Sequence, residues 1–513
     1  MTSSNPPRAR RARAARWLCA AGLGGALLAA AAALAGCRGA GDAAAAPALP
    51  EGTNILLVTV DTLRADHLGS YGYARATSPH LDRLAAEGVR FEDPVVQWPK
   101  TGPSFASIFT ATYPKDNGIV RRIGQPLPCR FRMLAEELQA AGYQTHAVIA
   151  NAAVASDFYF DQGFDTYVEA WEVEQGDLDP IGAEAITRLA TGLLEQIRGS
   201  EKPYFLWVHY VDPHAPYAPP EGEWRDRFQG DEHWDGAVRV PISTDRPKQQ
   251  MLGIGTERVL DGRDELAFYV ARYDAEIAYV DHWIGELFAA AGERGLLDRT
   301  LTAFTSDHGE SLGEHGYYFD HGRFSFDTCL RVPLVLHYPG VLEPRVDDDG
   351  PVELLHLAPT LLEAAGVALA DGAWMQGRSL WRRLRGEAAG AGDAAAAPPL
   401  AFAEAGWEAK GKWQKVVRDE RFKLIFAQTR PEQQWIGGPG VRFTLFDLAS
   451  DPGETVNVAE RFPEDTERLT RELWAWDRAE TFPVQVEPNA AACEGERSMT
   501  DDTAEVLKAL GYL

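Results

Sequence analysis

Apolar residues along this chain gather in short unbroken runs separated by amphipathic stretches. Asn54-Ile55-Leu56-Leu57-Val58-Thr59-Val60 is one such run, suited to a strand buried on both faces of a parallel sheet. Residues 146–150, 204–209, 301–305 and 333–337 are built alike. Between them, helical spacing of apolar positions predicts helices over 131–142, 181–198 and 264–294. Another helix starts at Ser78 as N-cap, with Pro79 in its first turn and Gly88 as its stop. This alternation means an α/β fold, a mostly parallel central sheet flanked by helices on both faces.

The rhythm lapses twice. Residues 218–262 lack it and read as an insertion or lid over the site. Residues 386–399 (GEAAGAGDAAAAPP) form a low-complexity linker or loop. Beyond it come short strands at 413–418, 422–427 and 443–447 and a helix near 463–475, the pattern of a small α+β subdomain with an antiparallel sheet. The expected organisation is therefore a catalytic domain over 51–385, the linker over 386–399, and a C-terminal subdomain and tail over 400–513. No internal repeat is apparent.

The N-terminus stands outside this fold. Arg8, Arg10, Arg11, Arg13 and Arg16 precede an apolar run from Trp17 to Leu34, and Leu34-Ala35-Gly36-Cys37 follows. That is the layout of a secretory signal peptide over 1–36. Its ending resembles a bacterial lipobox, which implies a lipid on Cys37, a flexible tether over 37–50, and a periplasm-facing cell-envelope lipoprotein. Arg38, where an aspartate would favour the inner membrane, favours the outer one. With Cys19 and Cys37 assigned, Cys129, Cys329 and Cys493 are left, enough for one disulfide at most.

With 45% hydrophobic and 24% charged residues, the chain is neither a disordered polymer nor a disulfide-stapled miniprotein. Its formal charge of -25, from 50 basic against 75 acidic residues, excludes a nucleic-acid partner. An anionic substrate would need a local electropositive site, such as a metal. The oligomeric state is not written in these patterns.

Candidate chemistry lies where strands end. Asp61 closes the first run, and Ser306-Asp307-His308-Gly309-Glu310 closes another. Asp61, Asp307 and His308 offer two hard oxygens and an imidazole, a set that suits a divalent cation. Thr101 lies just before a helix start, where the helix dipole and a metal would both stabilise a developing alkoxide; taken alone it reads as an N-cap. His209-Tyr210-Val211-Asp212-Pro213-His214 forms a third polar segment. Arg64 and Asp66 form a candidate pair orienting the Asp61 loop, and His315 shapes its own turn. Trp98, Trp207 and Trp234 read as core tryptophans or as stacking platforms for a sugar.

The motifs VTVDTLRADHLGSYGY, SPHLDRLAAEG, PSFASIFTATYPKDNGI, YVDPHAPY, TSDHGESLGEHG and RVPLVLHYPG occur in this order, followed by RDERFKLI and LFDLASDPGETVN. Together they resemble the sulfatase family of the alkaline phosphatase superfamily across residues 53–475. The resemblance implies metal ligands at Asp61, Thr101, Asp307 and His308, with Thr101 at the place of the metal-bound nucleophile. It implies ester-oxygen contacts or leaving-group protonation by Lys115, His214 and His321. A second ion held by Asp212, His214 and His321 is the alternative for that region.

The family motif Cys-x-Pro-x-Arg reads Thr101-Gly102-Pro103-Ser104-Phe105 here. No formylglycine is expected from threonine, and Phe105 removes the guanidinium. His308 tilts the site toward manganese or zinc ahead of calcium. A single threonine oxygen cannot expel sulfate by elimination, so a second in-line attack must break any covalent intermediate. The leading expectation is a sulfatase-like metal-dependent hydrolase of sulfate or phosphate esters, with a small-molecule, glycan or lipid substrate. The alternatives are a phospho-alcohol transferase acting on envelope glycans or lipids, and a catalytically inactive sulfatase-like binding protein.

Overall fold

The computed structural model describes residues 52–120, 124–173, 179, 181–230, 236–244, 252–368, 375–386, 399–407, 412–428, 442–479 and 497–512. The leader, the tether, Trp234, Cys493 and all but the ends of the 386–399 segment lie outside these residues.

The central sheet has eight strands: β1 (Asn54–Val60), β2 (Val89–Phe91), β3 (Gln144–Ile149), β4 (Thr166–Glu169), β5 (Tyr204–Tyr210), β6 (Thr300–Ser306), β7 (Leu334–His337) and β8 (Arg345–Asp347). Their spatial order is β8-β2-β7-β6-β1-β5-β3-β4. The run from β6 to β4 is entirely parallel, and β7 is antiparallel to both its neighbours. Ile55 to Val58 and Phe205 to Val208 are fully buried, as the continuous apolar runs require of strands covered on both faces.

Helices α1 (Pro79–Glu87), α2 (Thr101–Thr110), α3 (Leu134–Ala140), α4 (Ala183–Ile197), α5 (Leu266–Glu293) and α6 (Leu357–Ala364) belong to this body. Ser78, Pro79 and Gly88 occupy the cap positions anticipated for α1. Helix α3 begins three residues later than the pattern predicts. Met133 is its N-cap, and its backbone N–H is taken by Glu136. Among the described residues of 218–262 the regular elements are short, two paired two-residue strands and the 3₁₀ turn Thr256–Arg258.

The C-terminal subdomain is a four-stranded antiparallel sheet, β9 (Ala401–Trp407), β10 (Lys412–Arg418), β11 (Phe422–Gln428) and β12 (Phe443–Asp447), covered by α7 (Pro463–Arg478). Its core of Val417, Leu424, Leu445, Leu469 and Leu473 includes Tyr113 and Leu355 from the body built on the central sheet. Strand β9 is absent from the sequence reading because its Ala- and Gly-rich pattern carries little β-propensity. The tail folds into one more helix, α8 (Asp501–Ala509), with Thr500 accepting from the Thr503 N–H as its cap. Cys129 is disulfide-bonded, and Cys329 is a buried free thiol.

A buried ion network fastens the subdomain to the sheet. Arg418, 2% exposed, reaches Asp93 and Asp327 at 2.8 Å each, and Lys423 reaches Asp327 and Glu454 at 2.7 Å each. Removing one member of such a network strands the opposite charges in low dielectric. Arg418→Ala is expected to lower stability by about 3–5 kcal/mol, read as a shifted midpoint in urea unfolding; an unchanged midpoint would mean the subdomain is held by its apolar contacts alone.

Candidate active site

Strand register assembles the centre. Strands β1 and β6 are parallel neighbours with Val60 opposite Ser306, so Asp61 and Asp307 leave the sheet side by side at its carboxyl edge. The Asp61 N–H donates to the Tyr210 carbonyl on β5 (2.9 Å), and the Thr62 N–H to Asp307 Oδ1 (3.3 Å). Asp61, Asp307 and His308 are fully buried, with one ligand atom of each within 4.8 Å of the others.

The charges there are unbalanced. Burial, reinforced by Asp307, pushes the Asp61 carboxyl well above the usual range, and burial pushes Asp307 up to about 7. Asp61 Oδ1 and Asp307 Oδ2 have no hydrogen-bond partner. His308 Nδ1 lies 2.9 Å from the Gly309 carbonyl, which only accepts, so this nitrogen carries the hydrogen. Its Nε2 lone pair therefore faces Asp307 Oδ2 at 3.4 Å and Asp61 Oδ1 at 3.8 Å. Two carboxyl oxygens and an imidazole lone pair converging here fit a divalent cation in chemistry and in number. Among the described residues no second such group converges, so Asp212, His214 and His321 do not assemble the alternative site.

Thr101 is the first residue of α2, not its N-cap; extended Lys100 holds that position. Every residue of α2 is buried, so its dipole acts in apolar surroundings. Thr101 Oγ1 lies 3.3 Å from His308 Nε2, and Ser104 Oγ donates to the Asp307 carbonyl (2.6 Å), tying helix to loop. Phe105 packs against Trp207 and His209, ring centroids 4.9 and 4.8 Å away. Trp98 and Trp207 are core residues, 1% and 0% exposed, not sugar platforms.

The histidines close over this centre. The His321 ring lies 4.2 Å from that of His308, tilted by 36°, and His214 stands 5.3 Å from His321 (ring centroids). His214 Nδ1 donates to the Ala215 carbonyl (2.8 Å), leaving Nε2 as an acceptor; burial pushes this imidazole down to about 3, so it is neutral. Lys115 does not join them. Its ammonium pairs with Asp116 (2.8 Å) and lies 5.4 Å from the Trp476 ring, because the short helix Pro114–Asn117 turns it toward the subdomain.

Several residues without an anticipated role take part. Buried Lys100 acts electrostatically on Asp61, His308 and Glu310. Its chain crosses Gly322, where a Cβ would sit 2.2 Å from Lys100 Cε and where φ is +85°. Glu310 Oε1 lies 3.2 Å from His321 Nδ1, and burial pushes this acid up to about 8. Asn151, just past β3, donates to Asp61 Oδ2, and His209 Nε2 lies 3.8 Å from the same oxygen. Arg258, from the 218–262 insertion, lines a cleft of about 10 Å³ with Lys100, His214, His321 and Tyr512. Arg64 grips Asp66 through two nitrogens (2.8 and 2.9 Å) and reaches Glu314 (2.7 Å). His315, in the left-handed region at φ 59°, stacks on Phe326.

A family described as Sulfatase matches residues 53–367, and one described as N-sulphoglucosamine sulphohydrolase, C-terminal, matches 313–477. The chain is 26% identical to an N-acetylglucosamine-6-O-sulfatase of Bacteroides thetaiotaomicron, over 79% of this chain and 82% of that protein. It is 27% identical to a choline-sulfatase of Rhizobium meliloti, over 85% and 89%. In fold it is similar to an enzyme solved with its substrate D-glucosamine-2-N,6-O-disulfate (TM-score 0.66, 21% identity, 87% of this chain and 100% of that one). It is similar also to a phosphonate monoester hydrolase from Silicibacter pomeroyi (TM-score 0.65, 23% identity, 85% and 97%).

If the three converging atoms hold a cation, purified protein carries about one equivalent of divalent metal per chain, and Asp307→Ala loses it. Elemental analysis checks this, and unchanged metal content in the variant removes Asp307 from the ligand set.

Proposed function

Because the chain belongs to the sulfatase family, we propose that it hydrolyses sulfate esters outside the cytoplasm, with Thr101 as the attacking group and a divalent cation held by Asp61, Asp307 and His308. The observation that carries this reading is the Thr101 hydroxyl, 3.3 Å from the bare nitrogen of His308 at the N-terminus of a buried helix. Bound there, the cation supplies charge neutralisation and lowers the pKa of a neighbouring hydroxyl. Manganese and zinc suit the imidazole better than calcium does.

Thr101, its hydroxyl proton released to solvent, forms the new Oγ1–S bond as the ester S–O bond breaks. Lys100 and Arg258 offset the anion's charge, in place of the guanidinium lost at Phe105. His321 gives its Nε2 proton to the departing alkoxide, with Glu310 holding its other nitrogen. Neutral His214 then takes at Nε2 a proton from the water that attacks sulfur, and the S–O bond to Thr101 breaks to restore its alkoxide. The convergence of Asp61, Asp307, His308, His214 and His321 argues against an inactive binding protein. A sulfated sugar is the favoured substrate class, supported by the relative named for N-acetylglucosamine-6-sulfate.

A second reading, hydrolysis of phosphate or phosphonate esters, is favoured by Thr101 itself. One oxygen suits a transfer completed by in-line attack of water, and phosphonate monoester hydrolases share the fold. The leader's layout supports lipid attachment at Cys37 and a periplasm-facing position, with Arg38 pointing to the outer membrane. The disulfide at Cys129 suits an oxidising compartment.

A panel of nitrophenyl sulfate, phosphate monoester and phosphodiester, assayed with manganese, zinc or calcium, distinguishes the two readings. Thr101→Ala is expected to lose about a thousandfold or more in kcat while keeping its fold by circular dichroism; parental activity in this variant would dismiss Thr101. The rate is expected to fall as pH rises through about 8, because the Glu310–His321 pair then loses the proton His321 donates. Glu310→Gln keeps the hydrogen bond but not the titration, so its alkaline limb should move away from that pH.

A further inference from the structure

The reactive oxygen has a second neighbour, from the far end of the described chain. Tyr512 OH lies 3.1 Å from Thr101 Oγ1 and accepts from Asn151 Nδ2 at 3.3 Å. Its ring packs on His214 (centroids 5.2 Å) and lies 5.5 Å from the Lys100 ammonium. The phenol thus touches the attacking group and two residues proposed to handle the ester.

This placement is built by the fold. Arg497 pairs with Asp161 (2.6 Å) and lies over the Tyr159 ring, and the Thr500 N–H donates to Asp157 (2.8 Å). Thr503 and Leu507 of α8 are fully buried. Gly511, at φ +74°, ends the helix and turns the chain inward, and the Tyr512 N–H closes the turn on the Leu507 carbonyl (2.8 Å).

Volume decides what this arrangement means. The cleft between Lys100, His214, Arg258, His321 and Tyr512 measures about 10 Å³, roughly one water. A transferable sulfuryl or phosphoryl group must bring its central atom to about 3–3.5 Å from Thr101 Oγ1, with three further oxygens around it. It cannot do so while the phenol stands there. A larger cavity of about 270 Å³ adjoins the cleft, with Pro216, Arg258, Tyr269 and Phe319 on one side and Lys508 to Gly511 as the opposite wall.

We infer that the segment Thr500–Tyr512 is an intramolecular occupant of the ester site, with Tyr512 in the position of the transferred group, so that substrate binds only by displacing it. The inference rests on Thr101 being the reacting oxygen. Tyr512 is then a specificity-determining residue. Displacement weakens the apparent affinity of every ester by the fraction of time the site is open. Esters whose alcohol part fills the 270 Å³ cavity offset that cost, and small esters do not.

The test uses metal-loaded full-length protein, with orthovanadate as the anion and nitrophenyl sulfate and phosphate as small esters. Tyr512→Ala is expected to bind vanadate about tenfold more tightly and to raise kcat/KM by a similar factor, as for a site closed about nine-tenths of the time. Arg497→Ala, which loosens the anchor far from the chemistry, should move both in the same direction by a smaller factor. Hydrogen exchange across 503–511 should accelerate when vanadate saturates the parent protein. Weaker or unchanged vanadate binding in Tyr512→Ala, or slower exchange on saturation, would overturn the inference and make Tyr512 a fixed part of the site. Tighter vanadate binding with no ester turned over by any variant would sustain the occupant and defeat the hydrolase reading instead.

Discussion

Two carboxylates leave adjacent parallel strands at the same level and are buried together, and the surrounding architecture answers that fact. Asp61 and Asp307 cannot both carry charge in so dry a place without compensation. The nearest imidazole, His308, turns a lone pair toward them, which worsens the imbalance unless a cation intervenes. Asn151 donates to Asp61, backbone N–H groups of Thr62 and His308 donate to Asp307, and Tyr273 from α5 bridges Thr62 and Arg64. These bonds hold both acids in place while leaving one oxygen of each turned toward the centre. Such braced, under-satisfied acids are what a binding site for a cation requires.

That constraint explains which parts of the molecule were legible in its sequence. Continuous apolar runs located β1, β5 and β6, and parallel register then places the polar residue after each run at one edge of the sheet. Asp61 and Asp307 were readable for this reason, and His308 followed as the neighbour of one of them. Asn151 stands two residues past β3 at the same edge, but amide side chains are so common in turns that residue type alone does not mark it. Strand β2 is three residues long and β9 is rich in alanine and glycine, so neither carries a strong periodic signal.

Other members of the site were hidden for a different reason. Lys115 lies in a motif that resembles the family's, but motif spacing does not say which way a short helix turns a long side chain. The structure sends its ammonium to Asp116 and Trp476 and brings Lys100 to the anion's side instead. Glu310 was visible as a residue, yet its role depends on pairing with His321 eleven positions away. Tyr512 is 411 positions from Thr101, and nothing local in Leu510-Gly511-Tyr512 announces a contact with the Thr101 hydroxyl. Long-range partners of this kind arise from tertiary packing, which a single sequence does not encode in any short window.

The replacement of cysteine by threonine has a structural companion. In Cys-x-Pro-x-Arg the last position brings a guanidinium beside the aldehyde hydrate; here Phe105 fills that place and seals against Trp207 and His209. Burial pushes His209 down to about 3, so its ring adds no positive charge on that flank. Positive charge comes instead from Lys100 at the helix cap and Arg258 on the insertion, both lining the cleft beside His214 and His321. The loss of a second nucleophile oxygen and the apolar wall behind Thr101 thus belong together. On the proposed role of Thr101 no hydrate forms, and a charge behind it would only add desolvation cost. On the proposed reading, the site keeps its cations where the transferred group carries its own negative charge, and the final bond is broken by water once Tyr512 has moved aside.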